Sequence, residues 1–300
     1  MTPATTTAHA RAHAERAKEH GLSAIEKGAR AGYAARGVVY VLIGGLALAA
    51  AFAPAQDAEG SRGAMAWLEN QPFGQTLLVL LAIGLLGYAL WRFTQAFADP
   101  DHHGTDAKGV AVRGAFVVSG ISHVLLSLYA LTLTFGWTFG LGSGGSNGGS
   151  AASGSGSGGG GGQGADKLTA ELMAMPAGRW LVGAVGVAIV IAGIAQFVRG
   201  YKAKFEKYLD LSPDKMRTWS PVCRAGLYAR GVSFAIIGGF LIVAAYQADP
   251  SEARGLSGAL STLQTWQFGP WLLALVAIGL LAFAVYSFIQ AGTRRVRATD

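Results

Sequence analysis

Six apolar runs of about twenty residues recur along this 300-residue chain, and each is long enough to cross a hydrocarbon core of about 30 Å. They place expected spanning helices at about Tyr33 to Ala53, Gln75 to Phe97, Arg113 to Gly136, Arg179 to Val198, Leu227 to Gln247 and Trp271 to Ala291. A β-barrel would instead show roughly ten-residue strands of alternating polarity, and the sequence has none. With 51% hydrophobic and only 14% charged residues, the chain reads as an all-α polytopic membrane protein.

The polar remainder sets the orientation. Of the 24 Lys and Arg residues, all but Arg62, Lys167, Arg179 and Arg254 fall in four segments on one side. These are the N-terminal stretch through Arg36, Arg92 to Arg113, Arg199 to Arg230, and the tail with Arg294, Arg295 and Arg297. The positive-inside rule predicts cytoplasmic N- and C-termini and an outward-facing loop at Gly140 to Gly164. In that loop 14 of 25 residues are glycine, so a flexible tether is expected. No Gly-Lys-Ser/Thr follows it, which removes a phosphate-binding loop. Because the basic residues are spread over separate segments, the net charge of +7 points to anionic phospholipid headgroups and not to nucleic acid. Residues 1–29 lack the apolar core of a signal peptide, so the first span is expected to direct insertion, preceded by a polar cytoplasmic helix. His13 and His20 share a helix face without a third ligand, so no metal is expected there. Cys223, the only cysteine, allows no intrachain disulfide.

The apolar runs are related to one another. RAGYAARG at Arg30 to Gly37 recurs as RAGLYARG at Arg224 to Gly231. A shift of 194 pairs Arg36 with Arg230 and Gly44-Gly45 with Gly238-Gly239, and a shift of 195 lays Phe73-Gly74 on Phe268-Gly269 and Gln95 on Gln290. A weaker middle copy matches Arg113 and Gly120 to the first at a shift of 83, and Gly178 and Phe197 at 104. The chain then divides into a polar segment 1–29, repeat one at 30–98, repeat two at 113–199 containing the 140–164 loop, a basic cytoplasmic loop 200–223, repeat three at 224–292, and a basic tail 293–300. Each repeat is a two-helix hairpin with an even number of crossings, so all three share one orientation about an axis along the membrane normal. Six helices in a pseudo-threefold bundle are expected.

Three tandem hairpins, each opening with Arg-x-Gly-φ-x-x-Arg-Gly-φ-φ-[Tyr/Phe] (φ apolar) and closing with Phe-Gly…Ala-Ile-Gly…Phe-x-Gln-Ala, resemble the bacterial membrane family called domain of unknown function 1206. The resemblance covers about residues 28 to 292. Repeat two departs from it, with Ser119 at the second arginine and His123 in place of Tyr40 and Phe234. What the resemblance implies is a six-helix inner-membrane protein; it supplies no catalytic residue and no substrate.

No Ser-His-Asp signature, His-Glu-x-x-His, embedded carboxylate pair or nucleotide fingerprint is present, so neither an enzyme nor a cofactor is expected. Glycines at Gly37, Gly44, Gly45, Gly84, Gly87, Gly183, Gly186, Gly193, Gly231, Gly238, Gly239 and Gly279 are expected to admit close helix packing, with a narrow glycine-lined path as the alternative. His123, about ten residues inside its span, is a candidate intramembrane proton relay or ligand, set against a neutral imidazole bonded to Ser119, Ser122 or Ser127. Asp99, Asp101, His102, His103 and Asp106 form a loop suited to a divalent cation or simply to solvent. Arg30, Arg113 and Arg224 stand at the expected depth of the lipid headgroups. Arg36 and Arg230 lie about 9 Å deeper along their helices, at the depth to which the returning helices bring Gln95 and Gln290. In repeat two Ser119 and Arg199 hold these positions. The expected contacts are Arg36 with Gln95, Arg230 with Gln290 and Arg199 with Ser119, three polar clasps at the cytoplasmic rim that fix hairpin register or hold lipid phosphate. The function read from the sequence is a non-enzymatic membrane scaffold or a module binding lipid or a membrane-protein partner. Its competitor is a small-solute or ion transporter using the bundle axis, which a wide watery cavity at His123 would favour.

Overall fold

The computed structural model describes residues 3–52, 60–136, 173, 175, 177–249, 260 and 267–294, with side chains from Glu26 onward. Seven α-helices are present among them: α1 (Pro3–Phe52), α2 (Ser61–Glu69), α3 (Gly74–Phe97), α4 (Ala107–Phe135), α5 (Gly178–Tyr201), α6 (Pro213–Gln247) and α7 (Gly269–Thr293). Six of these, counting Glu26–Phe52 of α1, are long and apolar enough to cross a membrane. Lipid offers the backbone no hydrogen-bond partners, so an apolar run must satisfy its own N–H and C=O groups, and an unbroken helix does so. The 140–164 loop, Arg254, and the tail from 295 lie outside the described residues.

Polar residues set several helix ends that the apolar runs did not mark. Helix α4 begins at Ala107 because the Asp106 carboxylate accepts from the Gly109 N–H 3.0 Å away, satisfying an end of the helix that has no internal acceptor. Helix α6 begins at Pro213, where the missing N–H of proline costs nothing. The segment 200–223 is therefore largely helical, with a 3-10 turn at Glu206–Tyr208, and not the plain loop expected. The link between the first two spans holds a further helix. There Ser61–Glu69 forms α2, which buries Ala64, Met65 and Leu68 along one helical face against α1, α3 and α4. Leu260, before α7, is buried in the same core.

Helix α3 packs on α1 and α4, α7 on α1 and α6, and α5 on α6; α4 and α5 share no comparable interface. One junction is made three times. A Cβ placed on Gly37 would fall 2.8 Å from the Phe288 ring, on Gly120 2.8 Å from Phe93, and on Gly231 2.8 Å from Phe197. Each time, the outgoing helix of one hairpin receives a phenylalanine from the returning helix of another. Inside the first and third hairpins the approach is closer still. A Cβ on Gly32 would lie 2.4 Å from the Tyr88 backbone nitrogen, and one on Gly226 2.5 Å from that of Phe283. Gly84 and Gly279 likewise admit the methyls of Ala35 and Ala229. The corresponding positions of the middle hairpin are Ala115, Val118 and Ala188. Their added bulk keeps α4 and α5 apart, and these two spans are the least buried, at 28% and 17% against 56% for α1.

Gly45 and Gly239 do not belong to this packing set, because nothing lies within 4 Å of a Cβ at either position. Gly226→Ala is expected to destabilise the protein by roughly 1–3 kcal/mol, since the new methyl meets backbone that cannot swing aside. Gly239→Ala is expected to be neutral or to stabilise by up to about 1 kcal/mol through helix propensity. Thermal melting of the two variants in one detergent checks the pair, and equal losses would contradict it.

Candidate functional site

The most polar part of the interior is built around Arg36, which is only 4% exposed although it lies within the α1 span. Its Nη1 donates to the Tyr88 hydroxyl (2.6 Å), its Nη2 to Gln290 Oε1 (2.5 Å) and its Nε to Ser287 Oγ (3.2 Å). Its glutamine is thus supplied by the third hairpin and not by its own. Gln95 instead accepts from Arg92 Nη1 (3.1 Å) and donates to Asp101 Oδ2 (2.6 Å). The expected Arg36–Gln95 clasp is replaced by Arg36–Gln290, because the Gly37–Phe288 junction turns this face of α1 toward α7.

Neither of the other two expected clasps forms. Gln290 is committed to Arg36 and to the Tyr286 hydroxyl, 3.0 Å from its Nε2. Arg230, 7% exposed, sits beside Gly231, which receives Phe197 of α5, and on that helix the residue equivalent to Gln290 is Arg199, a like charge that is itself exposed. The Arg230 guanidinium lies instead 4.9 and 4.8 Å from the ring centroids of Phe234 and Phe283, with its buried Nε lacking an acceptor. Ser119 and Arg199 belong to α4 and α5, which do not close on each other.

Arg92 reaches the same centre from α3. It donates a second hydrogen bond to the Tyr88 hydroxyl, and its Cζ lies 4.8 Å from the Tyr88 ring centroid. His123 packs its ring on Tyr88 at 4.5 Å, and its Nδ1 stands 2.7 Å from the Ser119 carbonyl. A carbonyl only accepts, so Nδ1 carries a proton and donates it within its own helix. Arg36, Tyr40, His123, Leu126 and Ser61 from α2 bound a cavity with room for about one water molecule.

Two of the three arginines expected at headgroup depth have protein partners as well. Arg30 donates to Glu26 (2.9 Å) and to the Gly292 carbonyl (2.8 Å), and Arg113 to the carbonyls of Ala96 (2.6 Å) and Phe97 (3.3 Å). Each thereby satisfies last-turn carbonyls of a returning helix, acceptors that a helix cannot fill itself. Arg224 keeps a buried Nε without a partner. In the loop after α3, the Asp99 carboxylate accepts from the backbone N–H groups of His103 and Gly104, both at 2.8 Å. The His103 N–H foremost holds its pKa below the ordinary aspartate value. Asp101 bonds Gln95 and pairs with Arg294 at 3.3 Å. These acids are engaged by protein donors, and among the described residues no three His, Cys, Asp or Glu side chains converge as metal ligands.

The sequence reading passed over Tyr88, Arg92, Ser287 and Arg294. Tyr88 and Arg92 carry a signal, since an i, i+4 spacing puts them on one face of α3 inside an apolar run. Ser287 carries none, being one small polar residue among many.

A family profile described as Domain of Unknown Function (DUF1206) matches residues 31–99, 148–203 and 225–294. The chain belongs to this family. It is also similar to the "Uncharacterized protein YxxB" of Bacillus subtilis (strain 168), at 33% identity over 274 residues, which span 89% of this chain and 90% of that protein. No solved structure matches. Within this DUF1206 chain, Arg36, Tyr88, Arg92 and Gln95 fall in the first matched segment, and Arg230, Ser287, Gln290 and Arg294 in the third.

A double-mutant cycle on Arg36 and Gln290 is expected to give a coupling energy of about 0.5–3 kcal/mol, and one on Arg36 and Gln95 a value near zero. Equilibrium unfolding in detergent reads both. Strong coupling of Arg36 to Gln95 would restore the within-hairpin clasp.

Proposed function

We propose that this multi-pass protein is a non-enzymatic module of the bacterial inner membrane that binds anionic lipid headgroups or a membrane-protein partner at its basic, cytoplasmic end. The observation that carries this reading is the filled centre of the bundle. Tyr40 meets Phe283 at 4.7 Å, Tyr88 meets His123 at 4.5 Å, and the space left beside them holds about one water. A conduit needs a continuous polar lining, and here aromatic rings interrupt it. The groups that do gather are arginine, tyrosine, serine, glutamine and His123, and the imidazole Nδ1 is committed to the Ser119 carbonyl and not to a hydroxyl that it could activate. Three orientation-matched hairpins around a pseudo-threefold axis fit the thrice-repeated glycine–phenylalanine junction.

Transport along the axis is the second reading, and the small cavity touching both Arg36 and His123 favours it. Flux decides between them. Liposomes containing the purified protein are expected to leak chloride, phosphate and protons no faster than empty ones. A saturable flux, reduced by His123→Ala, would overturn the proposal.

Orientation has its own check. In intact cells a membrane-impermeant thiol reagent is expected to label Gly154→Cys and to miss Ala298→Cys; the reverse pattern would invert the topology.

A further inference from the structure

Arg36 on α1, Arg92 on α3 and Arg230 on α6 converge on two rings. The guanidinium carbons of Arg36 and Arg92 lie 5.0 and 4.8 Å from the Tyr88 centroid, and those of Arg36 and Arg230 lie 5.1 and 4.8 Å from the Phe283 centroid. Among the described residues no ion pair joins any of the three to a carboxylate. The acid closest to them in the hydrogen-bond network, Asp101, is occupied by Gln95 and Arg294. Every acceptor they use is neutral: the Tyr88 hydroxyl, Ser287, Gln290 and Gln95.

Arginine keeps its proton in proteins, so three full positive charges stand together inside apolar helices. Two of them, Arg92 and Arg230, also keep a buried Nε–H with no acceptor. Uncompensated charge and unfilled directional donors call for the same ligand, an anion with several oxygens. A carboxylate fills one guanidinium fork. A tetrahedral phosphate presents an oxygen pair to more than one fork at once.

We propose that Arg36, Arg92 and Arg230 form a binding site for a phosphate-class oxyanion, supplied either by a phospholipid headgroup or by free phosphate. This rests on the headgroup-binding reading above and names its site. The cavity beside Arg36 holds only about a water, so binding requires a side chain to move. Arg230 is the one free to do so, because its contacts are ring faces, whereas hydrogen bonds tie Arg36 to Tyr88, Ser287 and Gln290.

The test uses the full-length protein, delipidated in a neutral detergent and melted in the presence of each probe. Inorganic phosphate, compared with chloride at equal ionic strength, and short-chain phosphatidylglycerol, compared with short-chain phosphatidylcholine, are the two arms. One or both anionic probes are expected to raise the Tm by several degrees. A rise with phosphatidylglycerol alone assigns the lipid source, and a rise with inorganic phosphate alone assigns the free anion. Arg230→Gln is expected to abolish the rise while leaving the ligand-free Tm equal to or above that of the native protein, since it removes repulsion; a merely structural arginine would lower it. Arg92→Gln, as a second variant, is expected to weaken the rise. No rise with either probe, or a rise undiminished in both variants, would overturn the site. If that happens while liposomes stay tight, the site alone falls; phosphate flux lost in Arg230→Gln would keep the site and overturn the non-transport reading.

Discussion

Close contact between helix backbones is the constraint on which this bundle depends. In water, burying apolar side chains would drive the helices together; in lipid the tails are as apolar as leucine, and van der Waals fit must do it. That explains why glycine sits where it does. At Gly32, Gly226, Gly37 and Gly231 even a methyl would meet a neighbour at less than 3 Å. Phenylalanine fills the notch in the junctions between hairpins, and bare backbone fills it within them.

Those contacts in turn decide where charge is held. A guanidinium below headgroup depth is costly unless something replaces its hydration. The junction at Gly37 surrounds Arg36 with a hydroxyl from α3 and a serine and glutamine from α7, and three aromatic rings lie about 5 Å from its Cζ. Arg230 enjoys the ring faces without the hydrogen bonds, because the equivalent of Gln290 on α5 is itself an arginine. The same local geometry, repeated on a different partner, therefore yields one satisfied arginine and one unsatisfied one.

The middle hairpin shows how small differences redirect a repeated design. Ala115, Val118 and Ala188 replace smaller residues at the contact points, so α4 turns to α3 and α5 to α6, and the two helices of one sequence repeat are divided between neighbours. His123, standing where the other hairpins have Tyr40 and Phe234, still packs as a ring against Tyr88 and passes its proton's hydrogen bond to its own helix. Its departure from the pattern preserves a ring-to-ring contact at the centre.

The six apolar spans were determined by the sequence itself, because hydropathy is a local property that needs no partner. Helix ends were less legible where a capping Asp106 or a leading Pro213 extends a helix past its apolar run, and α2 was hidden because its polar face carries Arg62 and Glu69. Which neighbour each side chain meets was decided only in the tertiary structure. Gln95 and Gln290 stand at equivalent positions of the first and third sequence repeats, so spacing along the chain places either beside Arg36 equally well. The choice between them is made by shape across a junction 251 residues long in sequence, Gly37 beneath Phe288, and a contact so remote leaves no mark in the local pattern on either side.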